Sequence, residues 1–471
     1  MSSSSQISAL RQLANIINEA VDSIEATYAK AGAPLPSLDA PTFNPTDPAE
    51  ALLQDPVVDS AALNIMAAAS QLSATVCSPV ASALNASQAF HISSCLRVAS
   101  ELNVVELLRE AGPEGLHAKD IAAPSKTNAA LLARILRLLA THNIFREVKP
   151  NVFANNRISA VLDKGKPSSV LFEKRAERLV GTSGVTALVE FFSEDIFKSA
   201  AVLGDTLLDP KEGELPYNRA FNTDQALYYW MQRPENALRL QRFGLGMAGT
   251  AGTEPVDAIF TGFDWSALPD KGVVVDVGGG IGNTALIIAQ KNPKLRVVVQ
   301  DLEHQVAEAK THWEQNFPEH VKNQMVEFQS LDFFNPQPVK NASVFMLRYI
   351  MHNWDDARAA KILRRLREVA EPTTQLVVIE KILSVASTIQ SADETAIPGA
   401  ARPSAPAPLL PNWGVGKAEF YFHDMAVHTM LGGGERTLGG YVDVFAQGGW
   451  KLVKVCHCKG SQLSHIVGVP A

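Results

Sequence analysis

Cysteine is scarce. The chain of 471 residues has four, Cys77, Cys95, Cys456 and Cys458. Cys456-His457-Cys458 has the wrong spacing for zinc and there is no second pair, so no metal site is expected from the cysteines. Long apolar runs are missing too: none approaches the ~20 residues needed to span a bilayer. Positive charge is in deficit, with 42 Lys and Arg against 49 Asp and Glu, a net charge of -7 and a pI of about 5.9. A nucleic-acid binder usually shows a basic face. The start, MSSSSQISALRQ, lacks a basic stretch followed by an apolar core, which argues against a secretory signal. The expectation is a soluble, reduced, cytoplasmic protein with neither membrane nor nucleic acid as partner. The hydrophobic fraction, 46%, is that of a globular protein, and the length admits two or three domains.

Residues 1–85 are rich in Ala and Ser. Two amphipathic helical patterns, near Ile7–Ala29 and Asp59–Leu84, flank a Pro-rich linker and suggest a helical arm. From residue 86 to 180 the text reads as short helices followed by a hairpin. HISSCLRVASELNVVELL is read as one helix. HAKDIAAPSKTNAALLARILRLLATHNIF is read as two, turning and capping at Ser125 to Thr127. REVKPNVFANNR is read as two strands around Lys-Pro-Asn. Helix, turn, helix and β wing make a winged-helix pattern. DNA binding is the less favoured reading, because the second helix is mostly apolar and offers only two arginines to phosphate.

Residues 181–471 are expected to form the main domain. After a helical stretch, β-branched runs alternate with helical patterns from Val273 onward: VVVDV, LRVVVQD, VFMLRYI, QLVVIE and WKLVKV. That alternation predicts an α/β fold, a parallel sheet with helices on both faces. The Pro- and Ala-rich segment Ser391–Gly414 is read as a surface insertion lacking fixed structure.

VVVDVGGGIGN is a strand, a glycine loop and the start of a helix. Gly278, Gly280 and Gly282 give G-x-G-x-G rather than the G-x-G-x-x-G that supports a pyrophosphate. Asp276, inside the strand end, would repel a diphosphate and suits a cation. Asp301 ends the next strand, where an acid is placed for ribose hydroxyls, with Leu302 beside it. Asp332 and Phe333 follow a third strand, a polar contact and an aromatic face for adenine. The implied ligand is an adenosine with a positively charged far end, S-adenosyl-L-methionine.

The motifs DVGGGIG, QDLEHQV, LDFF, LRYIMHNWDD, VVIEKIL and GGGERT, in this order, resemble those of the class I, cation-independent plant and fungal O-methyltransferases of the caffeic-acid and flavonoid type. The resemblance covers residues 86–471. It implies an N-terminal winged-helix dimerisation domain, a Rossmann-like methyltransferase domain and a homodimer. It also implies cofactor contacts at Gly278, Asp301, Asp332, Phe333 and Arg348, and a catalytic base at His352 flanked by Glu380 and Glu435. Arg348 and Asn353 stand where plant members often have Lys and Asp.

The chemistry fits the resemblance. A phenol, pKa ~10, is a weak nucleophile at neutral pH, and a base near pKa ~6.5 can take its proton. Glu380 and Glu435 are the candidates to orient the ring. Asp355 and Asp356 are read as a helix cap and a dipole partner rather than as metal ligands. Trp230, Phe243, Met247, Met425 and Thr429 are candidate walls for a small aromatic acceptor. The competing readings are a catalytically silent binding protein and a nicotinamide-dependent oxidoreductase. The intact His352, Glu380 and Glu435 argue against the first and the glycine spacing against the second.

Overall fold

Ser8 opens the first helix, Ala9–Ala31, by accepting the Arg11 N–H, and Gly32 closes it at φ 65°. The computed structural model describes residues 7–251, 255, 257–389, 392–458 and 460–471. Its contacts divide the chain into two units, residues 1–253 and 254–471.

In the first unit the arm is a helical pair. Ala9–Ala31 packs on Pro56–Val76, and the Tyr28 hydroxyl donates to the Ala49 carbonyl at 2.8 Å. The pattern read through Leu84 breaks at Cys77. Pro79 begins a separate helix, Pro79–Gln88, because the residue before a proline is pushed out of the helical region. The run read as one helix from His91 to Leu108 is also two, Phe90–Glu101 and Val104–Ala111. Asn103 sits between them at φ 53°, a conformation Asn tolerates better than most residues. The next helix, Ala129–Thr141, is capped by Asn128, one residue past the expected turn. The wing has three strands: Leu116–His117 pairs with Val152–Ala154, which pairs with Arg146–Lys149. Arg137, one of the two arginines of the second helix, is held by Glu147 at 2.7 Å.

The second unit is built on seven strands. They are β1 (Val273–Val277), β2 (Arg296–Asp301), β3 (Val326–Ser330), β4 (Val344–Arg348), β5 (Gln375–Glu380), β6 (Trp450–His457) and β7 (Ser464–Pro470). Their spatial order is β6-β7-β5-β4-β1-β2-β3. The first five are parallel, as the alternation predicts. β7 is antiparallel to both neighbours, which the expectation of a parallel sheet did not include. The connection from His457 to Ser464 is too short for a crossover, so the two strands must form a hairpin. The central strands are mostly apolar because both faces are covered. Val275, Phe345 and Leu347 face Ile362, Leu363 and Phe445, while Val274, Val344 and Met346 face Ala285, Ile288 and Trp313.

The Ser391–Gly414 segment differs from its reading. Ser391 itself lies outside the described residues. From Ala392 the segment has a short helix, Ala392–Ala396, and then binds the sheet edge: Val455 N–H donates to Pro398. Arg402 donates to the Ile382 carbonyl at 2.9 Å and to Ser464 Oγ at 2.9 Å, and Ala400 and Leu409 are buried. Proline suppressed helical periodicity there without preventing side-chain and backbone contacts to the sheet.

Candidate active site

The order of the strands reverses between β1 and β4, and in such sheets ligands bind outside the carboxyl ends of the strands at this point. The glycine loop leaves β1 here. Gly278 has φ 70°, and a Cβ on it would lie 2.6 Å from Ile350 Cδ1 and 3.4 Å from Phe333 Cε1, so Phe333 closes over this turn. Asp301, ending β2, accepts the Gly280 N–H at 2.8 Å and the Leu302 N–H at 2.7 Å. Its remaining lone pairs are free to accept a diol. Leu302 itself is exposed. Asp332 is also exposed and accepts the Phe334 N–H at 2.9 Å.

Asp276 is buried at the end of β1, and its Oδ2 has no hydrogen-bond partner. Burial and the charge of Asp301 push its pKa up to about 7, against the opposing pull of Arg348. Arg348, ending β4, donates to Thr284 Oγ1 at 3.1 Å, at the start of the helix behind the loop. A buried carboxylate short of partners, an acceptor at the second strand end and an aromatic ring beside the glycine turn fit a ligand with a cation, a ribose and a purine. S-adenosylmethionine has all three.

His352 lies just past β4 on a single tight turn, Met351–Asn353, and is buried. Its Nδ1 is 2.9 Å from Oε1 of Glu435. Burial works against a charged ring here. The Glu435 hydrogen bond and the charges of Glu380 and Glu435 outweigh it, and His352 has a raised pKa. For Glu435, burial is in turn outweighed by its hydrogen bonds to His352 and to His423, and its pKa falls to about 2. A carboxylate that accepts at Nδ1 holds the proton there and leaves Nε2 as the basic nitrogen.

Glu380 does something other than the expected ring orientation. Its Oε1 accepts the backbone N–H of His352 at 3.2 Å and its Oε2 the Tyr441 hydroxyl at 2.8 Å. It fixes the turn rather than the imidazole. Arg436, next in the chain after Glu435, turns away from it. It donates to the carbonyls of Met351 and Trp354 and to Asp356, clamping the same turn. Asp355 caps the following helix, as read, by accepting the Arg358 N–H.

Sequence reasoning missed His423. Its Nδ1 is 3.0 Å from the same Glu435 Oε1, and its ring stacks on His352 with centroids 5.8 Å apart. It also missed Tyr441 and Thr284. His423 comes from the helix Ala418–Leu431, Tyr441 from the helix Leu438–Gln447 and Thr284 from the helix behind the glycine loop, and no linear spacing links them to His352.

Of the acceptor candidates, Met425 is exposed and Thr429 is buried, donating to its own helix at the Ala426 carbonyl. In the first unit Trp230 is buried against Tyr217 and Phe221, Phe243 packs on Phe191, and Met247 is partly exposed.

The sheet order, the glycine loop and the His–Glu pair define a class I methyltransferase. An O-methyltransferase domain family matches residues 201–397, and an O-methyltransferase dimerisation domain family matches residues 84–164. An O-methyltransferase of Armillaria gallica is 40% identical over 98% of this chain and 99% of its own length. The 4-O-methyltransferase 1 of Phanerochaete chrysosporium is 38% identical over 98% and 100%. Among solved structures, OxaC in complex with SAH and oxaline shares the fold at a TM-score of 0.62 and 19% identity, covering 98% of this chain and 100% of its own. The chain belongs to the O-methyltransferase family and is an S-adenosylmethionine-dependent enzyme of its plant and fungal type.

Proposed function

We propose that the enzyme methylates a phenolic hydroxyl of a small aromatic secondary metabolite, with His352 as general base. The observation that carries this is the 2.9 Å contact between His352 Nδ1 and Glu435, which leaves Nε2 free to take the hydroxyl proton. A positioned base of this kind contributes typically about 10²–10⁴-fold. S-adenosylmethionine, when bound, supplies the electrophilic methyl group. Asp276, Gly278, Gly280, Asp301, Leu302, Asp332, Phe333 and Arg348 are the residues proposed to hold it. Glu435 keeps the base in one tautomer, and Glu380 keeps its backbone in place.

The Phanerochaete relative is named as a 4-O-methyltransferase, which supports an oxygen acceptor. The match to a dimerisation domain supports a homodimer. No helix among the described residues is long and apolar enough to cross a membrane, which is compatible with a cytoplasmic enzyme. Trp230, Phe243, Met247, Met425 and Thr429 remain the proposed acceptor contacts.

The test is calorimetry with S-adenosylmethionine and turnover of a panel of phenols by wild type and His352→Ala. Equal cofactor binding, with methylation by wild type alone, is expected. Methylation by both would remove His352 from the chemistry, and binding without turnover of any phenol by wild type would overturn the acceptor class.

A further inference from the structure

Glu435 serves two histidines rather than one. The Nδ1 atoms of His352 and His423 lie 2.9 and 3.0 Å from the same oxygen. The three ligand atoms are all within 4.8 Å of one another. The other oxygen of this fully buried side chain, Oε2, has no hydrogen-bond partner. We propose that His352, His423 and Glu435 form a binding site for a borderline divalent cation of the zinc and cobalt kind, and that its occupancy silences the enzyme.

The argument is geometric. Zinc holds nitrogen and oxygen ligands at about 2.0–2.2 Å, which sets neighbouring ligand atoms in a tetrahedron roughly 3.3 Å apart. The observed separations of each imidazole from the carboxylate need to open by only a few tenths of an ångström. Two imidazoles and one carboxylate are the ligand set of several zinc sites that keep a fourth position open. Nitrogen ligands also set the selectivity, since magnesium and calcium prefer all-oxygen shells.

Two of the ligands are on fixed backbone. His352 N–H is bonded to Glu380, and Glu435 N–H is bonded to Asp424 Oδ1 at 2.7 Å. His423 sits on the helix Ala418–Leu431 with its side chain about one-third exposed, giving the ion a way in.

The silencing follows from proton placement and rests on the reading of His352 as the base; the binding itself does not. A neutral imidazole that gives its Nδ1 lone pair to a metal carries its proton on Nε2. Metal binding at Nδ1 therefore moves the N–H of His352 from one nitrogen to the other. No net proton is lost, and Nε2 has no lone pair left to take the acceptor's proton.

The experiment is titration of chelator-treated, full-length protein with Co²⁺ alone, following its visible ligand-field absorption. It is run on wild type, on His423→Asn and on His428→Asn. The Asn side chain at 423 keeps a donor for Glu435 but ligates metal poorly, and His428 is an exposed histidine of the same helix. One Co²⁺ per chain is expected in wild type and His428→Asn, with binding weakened at least about tenfold in His423→Asn. Zn²⁺ should inhibit methylation by wild type, EDTA should restore it, and Mg²⁺ should do neither.

Equal cobalt binding by His423→Asn, or none by wild type, overturns the site. Binding with normal spectra and undiminished turnover in Zn²⁺ overturns the silencing alone. The cobalt spectrum reads the site even if no phenol is methylated, so the two readings fail separately.

Discussion

Gly433 lies against the carbonyl of His352: a Cβ at that position would be 2.0 Å from the oxygen. The N–H of Gly434 donates to the same oxygen at 2.8 Å. The glycine run before Glu435 is thus the floor on which the histidine turn rests. Gly433→Ala must push that turn away. A misplacement near 1 Å costs on the order of 10²-fold in rate. The expectation is a fall in kcat of that size with cofactor affinity unchanged, read by steady-state kinetics beside calorimetry.

His352 has a raised pKa, so if it is the base as proposed, the acid limb of the kcat profile should lie above the ordinary histidine value of ~6.5. Activity is lost as pH falls through that limb, because the protonated ring cannot accept a proton. Glu435→Gln removes the charge and hydrogen bond that raise the pKa. The limb should move to lower pH while kcat falls, since Gln no longer enforces the tautomer. A limb that stays in place in the variant would show that another group titrates.

Cofactor binding should depend on pH through a different group. Asp276, raised to about 7 by burial and by Asp301, is partly protonated at neutral pH. A cationic ligand favours its ionised form, so affinity for S-adenosylmethionine should rise as pH increases through about 7. Calorimetry across pH 6 to 8 in buffers of different ionisation enthalpy should detect the proton released, by about one per site at the low end. Asp276→Asn should bind more weakly and lose this dependence.

Tyr441 is buried, and its hydroxyl donates to Glu380 Oε2. Tyr441→Phe leaves that oxygen without this donor. An unsatisfied buried partner costs about 1–3 kcal/mol, more when charged. The urea midpoint of the second unit should fall accordingly with the slope unchanged. The His352 turn, which hangs on the other oxygen of Glu380, should loosen and lower kcat as well.

The five parallel strands, the glycine loop and the residues at the strand ends could be read along the chain alone. Those signals are local: β-branched runs such as residues 273–275, glycines where the backbone turns, and acids one strand apart. The sequence also carried His352 and Glu435, because the motifs that hold them are contiguous. Helix breaks were less legible. Asn103 and Pro79 mark breaks that the apolar period runs across, and periodicity counts side chains rather than backbone angles. The antiparallel end of the sheet and the docking of residues 392–414 depended on contacts with distant partners. So did the division of labour around His352. Whether Glu380 or Glu435 meets the ring, and that His423 meets it too, is decided by where the helix Ala418–Leu431 crosses β4 and β5's outgoing turns. A carboxylate's partner is set by a few ångströms of approach between segments 28 and 83 residues apart, and no local pattern in the chain encodes that distance.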